Sequence, residues 1–502
     1  MDVGVEEMRT AIIGGGIAGL AAAYELERAR AVDPSVVYTL FEARERLGGA
    51  LASETVAGTV LERGPDSFLT EKPAAADLCR EVGLGADLIP SNDSSRKTYI
   101  LVCNKLVALP DGLMFLVPTK LVPTALTPLF SVKTKARMAM ELLLPPRRNR
   151  SADESVASLV ERHFGAEAVD RLADPLLSGI YGGDASQLSA RTVLPRLVEM
   201  ETQYGSLTRG MLAAHRKMRA KAASVAAAAA NGTVAKTGSN GTAPAPRPIF
   251  TTLRGGMQQL VEAIRARLDW AAVRLSTPVN AIEKTSNGWL VHSLGAAEFY
   301  DSVIMASPAW AAGVLLDPVD QALSEDLGAI PYSSSITINL VYDAARLGDL
   351  PDGFGFLVPV SEGRSLLACT FSHRKFLGRT APGVAVIRAF LGGMRNEALL
   401  AESDAALVAI VRNDLIDILG DTVPGIGMDP LYTQVTRWRR AMAQYAVGHQ
   451  ERMKRINDRV AALPGLRLVG NAYDGIGIPD CIRLGRQAAR DLVAAAYQPS
   501  GS

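Results

Sequence analysis

Three glycines, Gly14, Gly16 and Gly19, stand between an apolar run and an alanine-rich segment, and the acid Glu42 closes the next apolar run. That spacing suits a dinucleotide. Gly14 permits a tight turn, Gly16 lets the backbone approach a pyrophosphate, and Gly19 lets a helix lie close to the strand before it. Gly15, Ile17 and Ala18 complete the turn, and the N–H groups that open the helix face the anion. Glu42 stands where a ribose hydroxyl needs an acceptor.

The elements that must hold these groups follow from the same stretch. Met8 to Ile13 reads as a buried strand, Ala18 to Ala31 as a helix, and Val36 to Phe41 as the second strand of a βαβ unit. The fold class expected is α/β, with a Rossmann-like dinucleotide domain. Glu42-Ala43-Arg44 runs on into Arg46-Leu47-Gly48-Gly49. That continuation resembles the flavoprotein oxidases that include the amine oxidases, which favours FAD over NAD.

Other chemistries find little support. The four cysteines, Cys79, Cys103, Cys369 and Cys481, form no paired motif, and the five histidines form no metal spacing. A reduced protein without metal is expected. No Ser/His/Asp or Cys/His set is apparent, and none is needed if a flavin carries the reaction. His449 and Cys481 read as structural residues. With 53 basic and 52 acidic side chains the formal charge is +1, which leaves no electrostatic footprint for nucleic acid.

At 502 residues the chain should form two or three domains. Met1 to Arg9 carries Asp2, Glu6 and Glu7 and lacks the composition of a secretory or import segment, so a cytoplasmic chain that starts inside its first domain is expected. No window has the roughly 18 apolar residues of a membrane-spanning helix. Between Pro110 and Pro146, prolines at 118, 123 and 128 break a Leu-, Met- and Phe-rich stretch into short apolar helices. These form a packed subdomain or a surface that rests in a lipid interface. Residues 221–248, with an alanine run and then Gly, Ser, Asn and Pro, read as a disordered loop, although the alanines can extend the preceding helix.

The second signature closes the chain. A strand, Leu466 to Val469, meets Gly470-Asn471-Ala472-Tyr473, then Gly475-Ile476-Gly477-Ile478-Pro479-Asp480-Cys481-Ile482, and a helix from about Cys481 to Tyr497 follows. Its N-terminus suits the pyrimidine edge of a flavin. This wording resembles the C-terminal flavin motif of the oxygen-dependent porphyrinogen oxidases of haem biosynthesis. Glu62 to Phe68, Ser178 to Asp184, Leu194 to Leu197, and Trp438 with Ala441 to Tyr445 and Gly448-His449 agree with it in order along nearly the whole chain. One departure is Ala443, where the family pattern leads us to expect proline.

The resemblance implies an FAD-binding domain from residues 1–90, 249–310 and 433–502. It implies a substrate domain from 91–109, 195–248 and 311–432, and a helical membrane-facing domain from 110–194. It also implies that Ala43, Ala50, Gly64, Pro65, Asp66, Ser67, Val279, Trp438, Ile476, Gly477 and Ile478 line the FAD, beside Gly14 to Gly19 and Glu42. The partners implied are a porphyrinogen, either protoporphyrinogen or coproporphyrinogen, and molecular oxygen reduced to peroxide. A second copy of the chain and peripheral contact with the inner face of the cell membrane belong to the same expectation. The substrate should dock by its propionates, for which Lys72 and Arg96 are the candidate receptors. Another flavin amine oxidase, a carotenoid desaturase, or a non-catalytic FAD-binding chaperone are the alternatives.

Overall fold

The computed structural model describes residues 7–110, 113–114, 116–118, 120–145, 152–230 and 248–497. Two sheets organise it. Five parallel strands lie in the order Val273–Arg274, Val36–Phe41, Met8–Ile13, Ser302–Met305 and Leu466–Leu468. Ile12 stands opposite both Leu40 and Ile304. These runs are apolar without alternation because helices cover both faces of a parallel sheet. The helices Ile17–Arg30 and Ile478–Ala496 pack on one face around Leu20, Leu26, Leu40, Ile304, Ile482 and Leu492, all buried. Gly485 makes their contact possible, since a Cβ there would stand 2.1 Å from the Ala18 carbonyl oxygen.

The second sheet is mixed and has seven strands. Its order is Tyr432–Ala443, Tyr332–Asp343, Val384–Gly392, Ala368–Phe371, Gly355–Leu357, Thr98–Val102 and Lys105–Ala108. Period-two alternation divides its faces. Ile336, Ile338 and Leu340 with Ile387 and Leu391 pack against Leu407 and Leu415 of the helix Asp404–Leu419. The residues between them, including Asn339 and Arg388, point the other way, where Val341 and Val386 meet Leu61. Tyr432–Ala443 is therefore a strand of this sheet, although the sequence reading places residues from 433 in the cofactor domain.

A third core is helical. Leu129, Phe130, Val160, Phe164, Leu172, Leu197 and Leu207 gather the helices Val132–Glu141, Val156–Phe164, Pro195–Tyr204 and Leu207–Ala230. Residues 195–207 thus pack with the helical cluster, not with the substrate sheet. The helix continues through Ala230, so the expected loop at 221–248 begins later than the sequence suggests. Alanine's high helix propensity is the physical reason. The remainder of that loop, 231–247, lies outside the described residues. Proline splits the stretch after Pro110 as expected, into Leu121–Leu126 and Val132–Glu141.

Candidate functional site

The site is assembled at the carboxyl ends of the parallel strands. Gly14 adopts φ +116°, and a Cβ there would stand 2.8 Å from the Ala306 carbonyl oxygen, so only glycine fits the turn. Gly19 is equally constrained, since its Cβ would sit 1.9 Å from the Gly14 oxygen. Gly16 differs. It is the N-cap of Ile17–Arg30 with no side-chain cap, and the space its Cβ would enter is open to 4 Å. The helix N-terminus around Ile17 and Ala18 therefore faces a free volume with its N–H groups.

Glu42 is buried at the end of its strand. Its Oε2 accepts from the Gly15 N–H at 2.7 Å, and its Oε1 accepts from the Arg44 N–H at 2.9 Å. The carboxylate is locked beside the glycine turn with lone pairs left for hydroxyl donors. Arg46 donates to the carbonyls of Leu47, Gly49 and Leu51, which fixes the Gly48-Gly49 loop against Gly16. Ala43 and Ala50 are exposed on that loop. Val279 opens the strand Val279–Lys284, close to Thr277, whose N–H bonds to the Glu42 carbonyl.

The segment 62–67 is held from behind. The Glu62 carbonyl accepts from Asn339 Nδ2 at 2.9 Å, and the Arg63 carbonyl accepts from Trp438 Nε1 at 2.8 Å. The Gly64 carbonyl accepts from Arg388, and the Asp66 carbonyl accepts from Thr252 Oγ1 at 2.6 Å. With those carbonyls engaged, the N–H groups of Gly64, Asp66 and Ser67 take no partner among the described residues. Pro65 has no N–H to present. Asp66 carries Lys375 at 2.9 Å and Ser67 Oγ at 2.6 Å; burial works to raise the pKa of its carboxyl, but Lys375, Arg388 and the Ser67 bond hold it far below the usual carboxylate range.

Gly477 is the extended N-cap of Ile478–Ala496, again without a side-chain cap, and Pro479 occupies its first turn. Ile476 packs on the aromatic core behind, and Ile478 on the helix layer. Two uncapped helix N-termini thus follow strands of one parallel sheet, as phosphate and flavin binding both require. Tyr445 supports the second turn: its hydroxyl donates to the Asn471 carbonyl and accepts from the Gly475 N–H, both at 2.9 Å. His449 stacks on Tyr445 at 4.4 Å between ring centroids, and burial lowers its pKa to about 4. It is neutral at ordinary pH. Burial pushes the Cys481 thiol up to about 12, so it is an unreactive packing group.

Lys72 and Arg96 are separated by their partners. Lys72 Nζ binds both oxygens of Asp480, at 2.6 and 2.8 Å, which ties it to the first turn of the C-terminal helix. Arg96 is exposed, with Asp93 3.7 Å away. The sequence reading did not single out Ser307, Asn339, Lys375 or Arg388. Ser307 Oγ is buried beside the Gly14 turn and has no partner among the described residues. Arg388 had a legible signal: a lone arginine in the apolar strand Val384–Gly392 must find a countercharge if that strand is buried.

Residues 17–493 match the model of the flavin-containing amine oxidoreductases. The chain belongs to that family. Within it, this flavoprotein is 34% identical over 488 residues to coproporphyrinogen III oxidase of Bacillus subtilis (strain 168), which covers 96% of this chain and 97% of the relative. It is 30% identical to the coproporphyrinogen III oxidase of Staphylococcus aureus (strain NCTC 8325 / PS 47), over 96% and 98% of the two chains. A provisionally named protoporphyrinogen oxidase from Exiguobacterium sp. 255-15, solved by crystallography, superposes with a TM-score of 0.82 at 32% identity, over 98% and 100% of the chains. These relations place the flavoprotein among the porphyrinogen oxidases, and its cofactor is FAD.

The residues present fit that cofactor. The open face of Gly16, the unpartnered Ser307 hydroxyl, the free amides at 64–67 and the two uncapped helix N-termini are donors of the kind that phosphate and flavin need. The Glu42 carboxylate is an acceptor of the kind a ribose needs. Among the described residues no helix is long and apolar enough to cross a membrane, and no cluster of residues is arranged to hold a metal ion.

Proposed function

We propose that this flavoprotein oxidises coproporphyrinogen III to coproporphyrin III with molecular oxygen as electron acceptor. The near-full-length relation to two coproporphyrinogen III oxidases supports this, in a chain whose two glycine motifs follow the carboxyl ends of strands of one parallel sheet. When bound, FAD would supply the two-electron redox chemistry between the electron-rich macrocycle and oxygen. The conversion removes six electrons, so three cycles yield three molecules of peroxide.

The chain's own part is binding and orientation. Gly14 to Gly19 and Ser307 hold the pyrophosphate, Glu42 the adenosine ribose, and Ala43, Ala50 and Val279 border it. Gly64 to Ser67, Trp438 and Ile476 to Ile478 surround the ring system. Lys72 receives a substrate propionate by exchange from Asp480, and Arg96 is a more distant receptor. The pyrrole protons leave to solvent, so the buried neutral His449 need not act as a base. The FAD-binding, substrate and helical domains divide the chain accordingly, except that the strand Tyr432–Ala443 joins the substrate sheet and residues 195–207 join the helical cluster.

A peripheral membrane contact completes it. Val122, Leu126, Val132, Met140 and Leu143 are 61–82% exposed on two successive short helices and the turn that follows, interleaved with exposed Lys133 and Arg137. Such a surface rests reversibly on an anionic bilayer. The function is tested by following porphyrin fluorescence and peroxide after adding each porphyrinogen in air. Coproporphyrin should appear with three peroxides per molecule. A protein with full FAD that forms neither porphyrin above the spontaneous rate overturns the proposal.

A further inference from the structure

Behind the segment 62–66 lies a cluster of five charged side chains from both sheets' neighbourhoods. Asp66 and Glu62 belong to the segment, while Arg388 comes from the substrate sheet, Lys375 from the short helix Ser372–Lys375, and Arg379 from the loop before Val384–Gly392. Lys375 binds both Asp66 oxygens, at 2.9 and 3.0 Å, and Arg388 stands 3.5 Å from Asp66 while it donates to the Gly64 carbonyl. Arg379 pairs with Glu62. Glu62 also accepts from the Met257 N–H at 2.9 Å and from Ser53 Oγ at 2.6 Å. The Arg388 and Arg379 side chains are 4% and 6% exposed, and those of Lys375 and Asp66 are 12% and 15% exposed.

The cluster does not balance. Three cations face two anions, so one positive charge is left over in a largely buried region. Aromatic rings flank it: Lys375 lies over Phe250 at 4.7 Å and Phe376 at 5.0 Å, and Arg388 over Phe390 at 4.8 Å. The Nε atoms of Arg379 and Arg388 have no partner among the described residues. A structural clamp alone would be served as well by a neutral set, and burying a surplus charge is costly. A surplus cation becomes favourable when an anion forms nearby, as happens when a flavin is reduced to its anionic form.

We infer that Lys375 and Arg388, balanced in part by Asp66, are positioning residues that orient the amides of segment 62–67 and favour the reduced, anionic state of the bound flavin. This rests on the FAD assignment and not on the identity of the substrate. The test uses the FAD-loaded full-length protein without any porphyrinogen. Wild type and the variants R388M, K375M and D66N are reduced slowly and anaerobically with a reference dye, and the equilibrium constant for flavin reduction is read from the two spectra. Bound FAD is counted separately after denaturation.

K375M and R388M should each lower that constant about tenfold or more, and D66N should raise it, because the removed charges have opposite sign. R388K, which keeps the charge but not the fork to Gly64, should restore most of the R388M loss. Neutral variants that keep FAD and leave the constant unchanged would overturn the inference, as would D66N moving in the same direction as the cation variants. If R388M fails to fold, K375M and D66N still decide it. Because no porphyrinogen is present, any of these outcomes is independent of the proposed substrate.

Discussion

Gly16 and Gly19 share one motif, yet the structure assigns them different work, and the difference is testable. A side chain at Gly16 enters open volume, so Gly16→Val should fold with a melting temperature close to wild type and purify without FAD. At Gly19 even a methyl group would meet the Gly14 carbonyl at 1.9 Å, so Gly19→Ala should lose stability itself, by about 2 kcal/mol or more. A Gly16→Val protein that retains its yellow colour would contradict the pyrophosphate assignment. Glu42→Gln places an amide N–H against the Gly15 or Arg44 donor, and weakens FAD by about tenfold or more as judged by fluorescence titration. For Lys72→Ala we expect the apparent Michaelis constant for coproporphyrinogen to rise about tenfold, and less for protoporphyrinogen, which has fewer propionates. Equal changes for both would leave Lys72 as a partner of Asp480 only.

Among the elements, the helical core carries a titratable clamp. His163 is buried, with Nδ1 3.0 Å from Glu141 and Nε2 3.4 Å from Glu201. Glu141 also accepts from the backbone N–H groups of Leu207 and Thr208 and from Ser206 Oγ, and so caps the helix Leu207–Ala230. Burial opposes a charged His163, but the two carboxylates outweigh it and raise its pKa. Bonds from His163 lower Glu141, and those from His163 and Arg162 hold Glu201 at about 2 despite burial. The signs fix a window. The histidine's contribution is complete below its unfolded pKa near 6.5 and is lost as pH rises through the raised folded value. The carboxylates contribute fully above about 4.5 and lose this as pH falls through their lowered values. Thermal melts should peak between those limits, and His163→Gln should flatten the alkaline limb. An unchanged alkaline limb would mean that His163 is neutral in the folded protein. The exposed helix face is tested by flotation: wild type should rise with anionic vesicles, and replacing Val132, Met140 and Leu143 by Ser should abolish this.

Across the whole molecule, what could be read beforehand was what local pattern determines. Met8–Ile13 and Val36–Phe41 lie where their apolar runs put them, because a parallel strand buried on both faces is nearly all apolar. The glycine turn, Glu42 and the C-terminal helix N-cap were equally legible, each being a backbone requirement with its own residue signature. Interfaces between distant segments were not. Nothing local in Tyr432–Ala443 says that it pairs with Tyr332–Asp343, and this pairing moved the strand to the other sheet. Lys72 looked like a free cation because Asp480, 408 positions away, is brought to it only by the fold. The same holds for Asn339, which meets the Glu62 carbonyl from the substrate sheet.

Working together, these parts should oxidise a porphyrinogen through FAD. Purified protein, its FAD occupancy first measured, is mixed in air with coproporphyrinogen III in darkness, and coproporphyrin fluorescence and peroxide are followed against a boiled control. Porphyrin should form well above the control, with about three peroxides per porphyrin, and little or none should form with the Gly16→Val protein. Full FAD occupancy with porphyrin formation no faster than the boiled control, for coproporphyrinogen and protoporphyrinogen alike, would contradict this function.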